Sequence, residues 1–194
     1  LDGLRLRAGG AEFTLEGSIS ADAAMATTRL NGRLGPMGVE TAKAIWPRAL
    51  APGARSWVGE RVSRGVIKGG TLVFESSVPT AGAETGTAAA QERLSFALEA
   101  ENAAFVPMPG MDTAEAPRVL VRVENDDLEV TVPEAWLNAE PGRKLPIKGG
   151  RMVASALSAT APEGEITFKA QAPLMHAIDL LRKKPLSVLR DMPS

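Results

Sequence analysis

Apolar residues recur at every second position in short runs along most of the chain. "AEFTLEG" puts Phe13 and Leu15 on one side, and "RLSFALEA" does the same with Leu94, Phe96 and Leu98. "VLVRVENDDLEVTV" carries Val119, Val121 and Val123, then Leu128, Val130 and Val132, and "EITFKA" carries Ile166 and Phe168. Period-two alternation rich in β-branched and aromatic residues predicts half-buried strands. "ENDD" (Glu124 to Asp127) separates two such runs and predicts a hairpin turn. "PTAGAETGTAAAQ" (Pro79 to Gln91) has the composition of a long hairpin loop.

Helical spacing is rarer. "APGARSWVGERV" opens on Pro52, suited to a first helical turn, and repeats apolar groups at Ala54, Trp57, Val58 and Val62. "VETAKAIW" predicts one or two turns that Pro47 stops. "APLMHAIDLLRKK" starts at Pro173 and lines up Leu174, Ala177, Ile178 and Leu181. Lys183 and Lys184 then fall at the end where the helix dipole favours cations. The chain therefore reads as mainly β: an elongated, twisted antiparallel sheet, an open half-barrel or groove, with two or three short helices.

The tetrapeptide Ile-Lys-Gly-Gly occurs twice, in "VIKGGTLVF" (Val66 to Phe74) and "PIKGGRMVA" (Pro146 to Ala154). Each copy follows a proline, a tryptophan-bearing segment and basic residues, and each precedes a strand pattern. Paired glycines permit a bend or bulge that side chains would block. The strand after each corner is expected to set off in a new direction, with one supersecondary unit used twice. Chance recurrence of a common turn is the alternative. Two β units follow from the repeat reading: residues 1–110 with a helical insertion at about 39–63, and residues 111–194 with a terminal helix at about 173–183.

The bulk numbers exclude several functions. The 194 residues suffice for one ample domain or two small ones. A net charge of −1 leaves no electrostatic footprint for nucleic acid. The absence of cysteine removes disulfide and thiol chemistry. No run of 18 apolar residues is available to span a bilayer as a helix. The first residue is Leu1, so the chain is expected to be a piece of a longer protein, with any membrane anchor outside it.

Candidate chemistry is sparse. His176 is the one histidine and has no carboxylate partners at metal-ligand spacing, so it reads as a helix residue. "ENDD" lacks the loop glycine and distal glutamate of a calcium loop. "RKK" (Arg182 to Lys184) suits anionic head groups and a helix C-terminus equally. Trp46, Trp57 and Trp136 read as packing anchors for helical segments. No phosphate loop, nucleophile elbow or ligand cluster is present, so no cofactor and no catalytic residue is expected.

The stretch "WPRALAPGARSWVGERVSRGVIKGGTLVF" resembles a motif of the AsmA-like superfamily, specifically its YhdP-like proteins of Gram-negative bacteria. Trp46-Pro47, Leu50-Ala51-Pro52, Arg55, Trp57-Val58 and Gly65 carry the resemblance. "ENAAFVPMPGMDTAEA", "PGRKLPIKGGRMVA" and "APLMHAIDLLRKKPL" look like the family's later elements, so the likeness covers most of residues 46 to 190. It implies a periplasmic protein held in the inner membrane by an N-terminal helix absent here. Such proteins carry phospholipid acyl chains along the apolar concave face of a curved β-sheet, serving transport to the outer membrane or envelope homeostasis. On that resemblance the lipid-lining candidates are Leu94, Phe96, Leu98, Val121, Val123, Leu128, Val130, Ile166 and Phe168. The expected partners are phospholipid acyl chains and neighbouring repeats of the parent chain. An envelope scaffold that only joins protein domains, or a closed β-sandwich module, are the competing expectations. Whether the face bearing Leu94, Phe96 and Leu98 is open or covered separates them.

Overall fold

A computed structural model describes residues 4–8, 10–46, 52–80, 90–140, 143–156 and 163–170. Ten strands form one antiparallel sheet: β1 (Leu4–Ala8), β2 (Ala11–Ala21), β3 (Met25–Leu34), β4 (Met37–Gly38), β5 (Val62–Pro79), β6 (Gln91–Phe105), β7 (Ala114–Glu124), β8 (Asp127–Glu140), β9 (Arg143–Ser155) and β10 (Glu163–Ala170). Their spatial order is their chain order, except that the short β4 pairs with β5 beside β3. β1 and β10 end the path, so the sheet is open and not a barrel. The helical insertion is present as α1 (Val39–Ile45) and α2 (Pro52–Arg61). The expected helix at 173–183 and the tip of the 79–91 loop lie outside the described residues.

Short turns join the alternating runs at β1–β2, β2–β3 and β7–β8. The "ENDD" turn closes with Glu124 opposite Asp127 and left-handed backbone at Asn125 (φ 54°), which asparagine tolerates. Asp22 shapes the β2–β3 turn by accepting hydrogen bonds from the backbone N–H groups of Ala24 and Met25, both at 2.8 Å. The Met25 and Ala24 amides hold its carboxyl below the usual carboxylate range.

The two Ile-Lys-Gly-Gly corners do not start new strands. Each lies inside one continuous strand, β5 or β9. What they change is the alternation. Ile67 packs with Met37 and Ala11, and Gly70, three residues on, lies beside the Leu34 and Leu98 side chains on the same side. Ile147 packs with Val132, and Gly150 is the register partner of Val132. In a regular strand, positions three apart face opposite ways. The first corner absorbs the extra step as a register shift between Ile67 and Gly69. The second absorbs it through left-handed backbone at Gly149 (φ 61°). The tryptophan-bearing segment upstream of the second copy is strand, since Val132 to Glu140 belongs to β8.

Neighbouring strands make the same slip together. Ala100 and Ala103 on β6, Ala116 and Val119 on β7, and Val132 and Ala135 on β8 all pack into one cluster. The residues between them include Asn102 (φ 52°), Pro117 and Pro133. Proline offers no N–H to a ladder, and the β7–β8 pairing is interrupted from Glu115/Trp136 to Leu120/Thr131. A crease therefore crosses the sheet, and the apolar residues stay on one face on both sides of it. Beyond the crease the packing is tightest: Leu137 is 1% exposed, and Ala114, Ala116, Leu145 and Ile147 are buried with it.

Candidate functional site

The register places the predicted apolar residues on a single face. One cross-strand row runs Phe13, Leu34, Gly70, Leu98, Val121, Val130, Met152, Ile166. The next runs Leu15, Gly32, Leu72, Phe96, Val123, Leu128, Ala154, Gly164. A third joins Leu30, Phe74 and Leu94. Directly paired residues share a face, so eight of the nine candidates sit in these rows. The ninth, Phe168, packs against the cluster at the crease. Each long row crosses eight strands, about 34 Å at a strand spacing of ~4.8 Å.

Glycine is built into this face. A Cβ on Gly32 would come within 3.1 Å of Leu72 and of the Phe13 ring. One on Gly70 would meet the Ala97 carbonyl oxygen at 2.8 Å and the Leu98 Cβ at 3.2 Å. These glycines leave room for the Phe13 ring and for Leu72 and Leu98 beside them.

The face has a wall along one border. α1 packs Ala42 against Ala11, Met37 and Ile67. Lys43 ties α1 down by donating to the Val62 carbonyl at 2.6 Å and to Glu40 at 2.8 Å. Trp57 of α2 meets Phe105 with ring centroids 6.3 Å apart, tilted by 48°. The loop from Val106 to Thr113 is fastened at both ends, by Val106 N–H to the Arg61 carbonyl (2.9 Å) and Asn138 N–H to the Thr113 carbonyl (3.0 Å). Away from that border, no second sheet covers the rows among the described residues. Leu94, Phe96, Leu98, Val121, Val123, Leu128 and Val130 are half-buried, and Ile166 is 38% exposed. A closed sandwich would bury them.

Between the wall and the sheet lies an apolar cleft of about 100 Å³. Trp57, Phe105, Met108, Met111 and Phe168 line it together with Val132. Sequence reading named Val130, Ile166 and Phe168 as lining candidates, Val132 as a strand residue and Trp57 as a packing anchor, but missed Met108 and Met111. Those two stand in a proline-glycine loop with no periodicity to mark them.

The opposite face is polar and laced with ion pairs. Arg151 donates to Glu129 at 2.6 Å, Arg118 to Glu99 at 2.7 Å and Lys144 to Glu115 at 2.6 Å. Arg29 lies 3.3 Å from Glu75. The Arg151 hydrogen bond holds Glu129 below the usual carboxylate range, and Lys144 does the same for Glu115. Ser95 Oγ hydrogen-bonds Glu124 at 3.0 Å and, with Arg122, lowers its pKa. All three glutamates are only half-buried and stay in contact with water, so each pair adds little stability by itself. Trp136 lies on this face of β8, opposite Glu115 and Pro146, and anchors no helix.

His176 and Arg182 to Lys184 lie outside the described residues. Among the described residues no three His, Cys, Asp or Glu side chains gather as metal ligands. No helix among them is long and apolar enough to cross a membrane. Comparison of the chain with protein-family models, with curated proteins and with solved structures returns no match.

Proposed function

We propose that this chain is a non-enzymatic lipid-carrying segment whose apolar sheet face holds phospholipid acyl chains. In this reading it belongs to a YhdP-like periplasmic protein attached to the inner membrane through a segment outside this chain. The observation that carries the proposal is the pair of apolar rows crossing eight strands, half-exposed and uncovered among the described residues. The hydrocarbon of a bilayer is ~30 Å thick and two tails deep. One tail therefore needs ~15 Å, about three strand spacings of a 34 Å row.

The energetics suit movement. Complete burial contributes about 0.8 kcal/mol per methylene. A face that covers one side of a dozen-carbon tail thus supplies ~5 kcal/mol, about half the full amount. That corresponds to a dissociation constant of roughly 0.2 mM, so a tail is held and still released quickly. The two long rows bear no polar side chain to fix its position, which favours sliding over specific recognition.

The test is lipid content. Organic extracts of the purified chain, read by mass spectrometry, should contain phospholipid or fatty acid. Phe96→Asp should remove it while the circular dichroism spectrum stays that of wild type, because a charge keeps its water and denies a tail its dry surface. The control is Thr71→Asp, on the polar face opposite Arg33. Ser95 is a poor control, since an aspartate there would face Glu124. Equal lipid in Phe96→Asp and wild type would overturn the proposal. So would lipid-free wild-type protein that takes up none from vesicles.

A second reading is an envelope scaffold that only joins neighbouring repeats. The outer edges of β1 and β10, which no described strand pairs, favour it.

A further inference from the structure

We infer that the cleft beneath the Val106 to Thr113 loop receives the methyl end of an acyl chain lying on the open face, an inference that rests on the lipid-carrying reading above. Continuity comes first. Val130, Met152 and Ile166 belong both to the long row that starts at Phe13 and to the lining of the cleft. A tail lying along that row meets the cleft without crossing a polar side chain.

Polarity decides which end enters. The lining side chains are aromatic, aliphatic or thioether, apart from Arg151. The Arg151 guanidinium is held by Glu129 on the opposite face, at 2.6 Å. A carboxylate or phosphate pushed into the cleft would lose its water and gain no partner, which costs several kcal/mol. A terminal methyl loses nothing.

Size and adaptability agree. An apolar cavity of ~150 Å³ stays dry and admits a six-carbon benzene ring, so about 100 Å³ takes roughly four carbons. Met108, Met111 and Met152 give the lining unbranched thioethers that repack around ends of differing shape. The wall is fastened at both ends of the loop, so it bounds the cleft on one side. The Met111 N–H bonds the Met108 carbonyl at 3.1 Å, and Gly110 takes left-handed backbone (φ 84°) to complete the turn. The crease makes the space, since Val132 and Ala135 both turn inward there.

The experiment uses the full chain with methionine methyls labelled for NMR. Two probes are compared: stearate bearing a nitroxide near its methyl end, and stearate bearing it near its carboxylate. The methyl-end probe should broaden the Met108, Met111 and Met152 signals several-fold more than the carboxylate-end probe. Met25, on the far side of the sheet from the crease, should not distinguish them in that sense. Met111→Trp, which fills the cleft from the loop, should abolish the difference while stearate still binds in equilibrium dialysis. Equal broadening by both probes, or stronger broadening by the carboxylate-end probe, overturns the cleft assignment and leaves the face reading standing. Stearate that neither binds in dialysis nor broadens any methionine overturns both.

Discussion

Ile147 and Gly150, three residues apart on β9, lie on the same side of the sheet. Ile67 and Gly70 on β5 repeat the relationship. The doubled Ile-Lys-Gly-Gly is thus a device for slipping the alternation by one residue. It keeps the apolar face continuous through strands of 18 and 13 residues.

The two lead glycines should differ on substitution. Gly149 needs left-handed backbone (φ 61°), whereas Gly69 does not, and a Cβ on Gly69 meets only the Leu34 carbonyl oxygen at 3.4 Å. Gly149→Val should cost about 1–3 kcal/mol through backbone strain. Gly69→Ala should stay within ~1 kcal/mol of wild type. Urea unfolding measures both, and equal midpoints for the two variants would refute the assigned role of Gly149.

Asn125 joins three strands. Its N–H donates to the Leu94 carbonyl at 2.6 Å, and its Oδ1 accepts the Leu94 N–H at 3.1 Å. Asn125→Gly keeps the φ of 54° accessible and loses the side-chain acceptor, at a cost of about 0.5–1.5 kcal/mol. Asn125→Ala adds roughly 1–2 kcal/mol for left-handed backbone. Thermal unfolding should rank wild type above Asn125→Gly, and Asn125→Gly above Asn125→Ala. The reverse order of the two variants would show that the turn does not depend on that backbone conformation.

Trp57 is half-buried against Phe105, not enclosed. Truncating a fully buried aromatic costs about 3–5 kcal/mol, so Trp57→Ala should cost about 2 kcal/mol. It should also open the cleft wall. A wild-type denaturation midpoint for this variant would mean that α2 does not dock through Trp57.

Acid should loosen the polar face before it affects the apolar one. The hydrogen bonds from Arg151 to Glu129, from Lys144 to Glu115 and from Ser95 to Glu124 lower these carboxyl pKa values in the folded chain. The unfolded chain then binds protons more readily than the folded one. The stabilisation is therefore complete above the ordinary carboxylate range and is lost as pH falls through it and below. Exposure keeps each contribution small. Denaturant midpoints should be level near neutrality and decline on acidification, and Glu129→Gln should flatten part of that decline. A midpoint that rises with acid would contradict the sign.

Much of this architecture was legible in the residues. Alternation at Leu94, Phe96 and Leu98, and at Val121 through Val130, marked strands and even the correct face. Period two is a local property, and side-chain direction follows from it wherever a strand is regular. The turn at "ENDD" and the helices opening near Val39 and at Pro52 were local signals of the same kind. Legibility ended where regularity did. In "RVENDDLEVTVPEAW" only Pro133 hints at a break, and that Val132 and Ala135 share a side follows from a slip made jointly with Pro117, Asn102 and Gly149 on other strands.

By itself, then, the sequence determined that the chain is mainly β, where most strands and turns fall, and which residues are apolar on each strand. Only the tertiary structure decided that those residues form two rows across eight strands, that a crease crosses them, and that Met108 and Met111 close a cleft at its edge. The physical reason is that strand periodicity is encoded along the chain. Register, bulge matching and loop docking are settled between segments far apart in the chain, as in the Thr27–Ser77 contact across β3 and β5, 50 residues apart, where only the partner's position determines which way a side chain ends up facing.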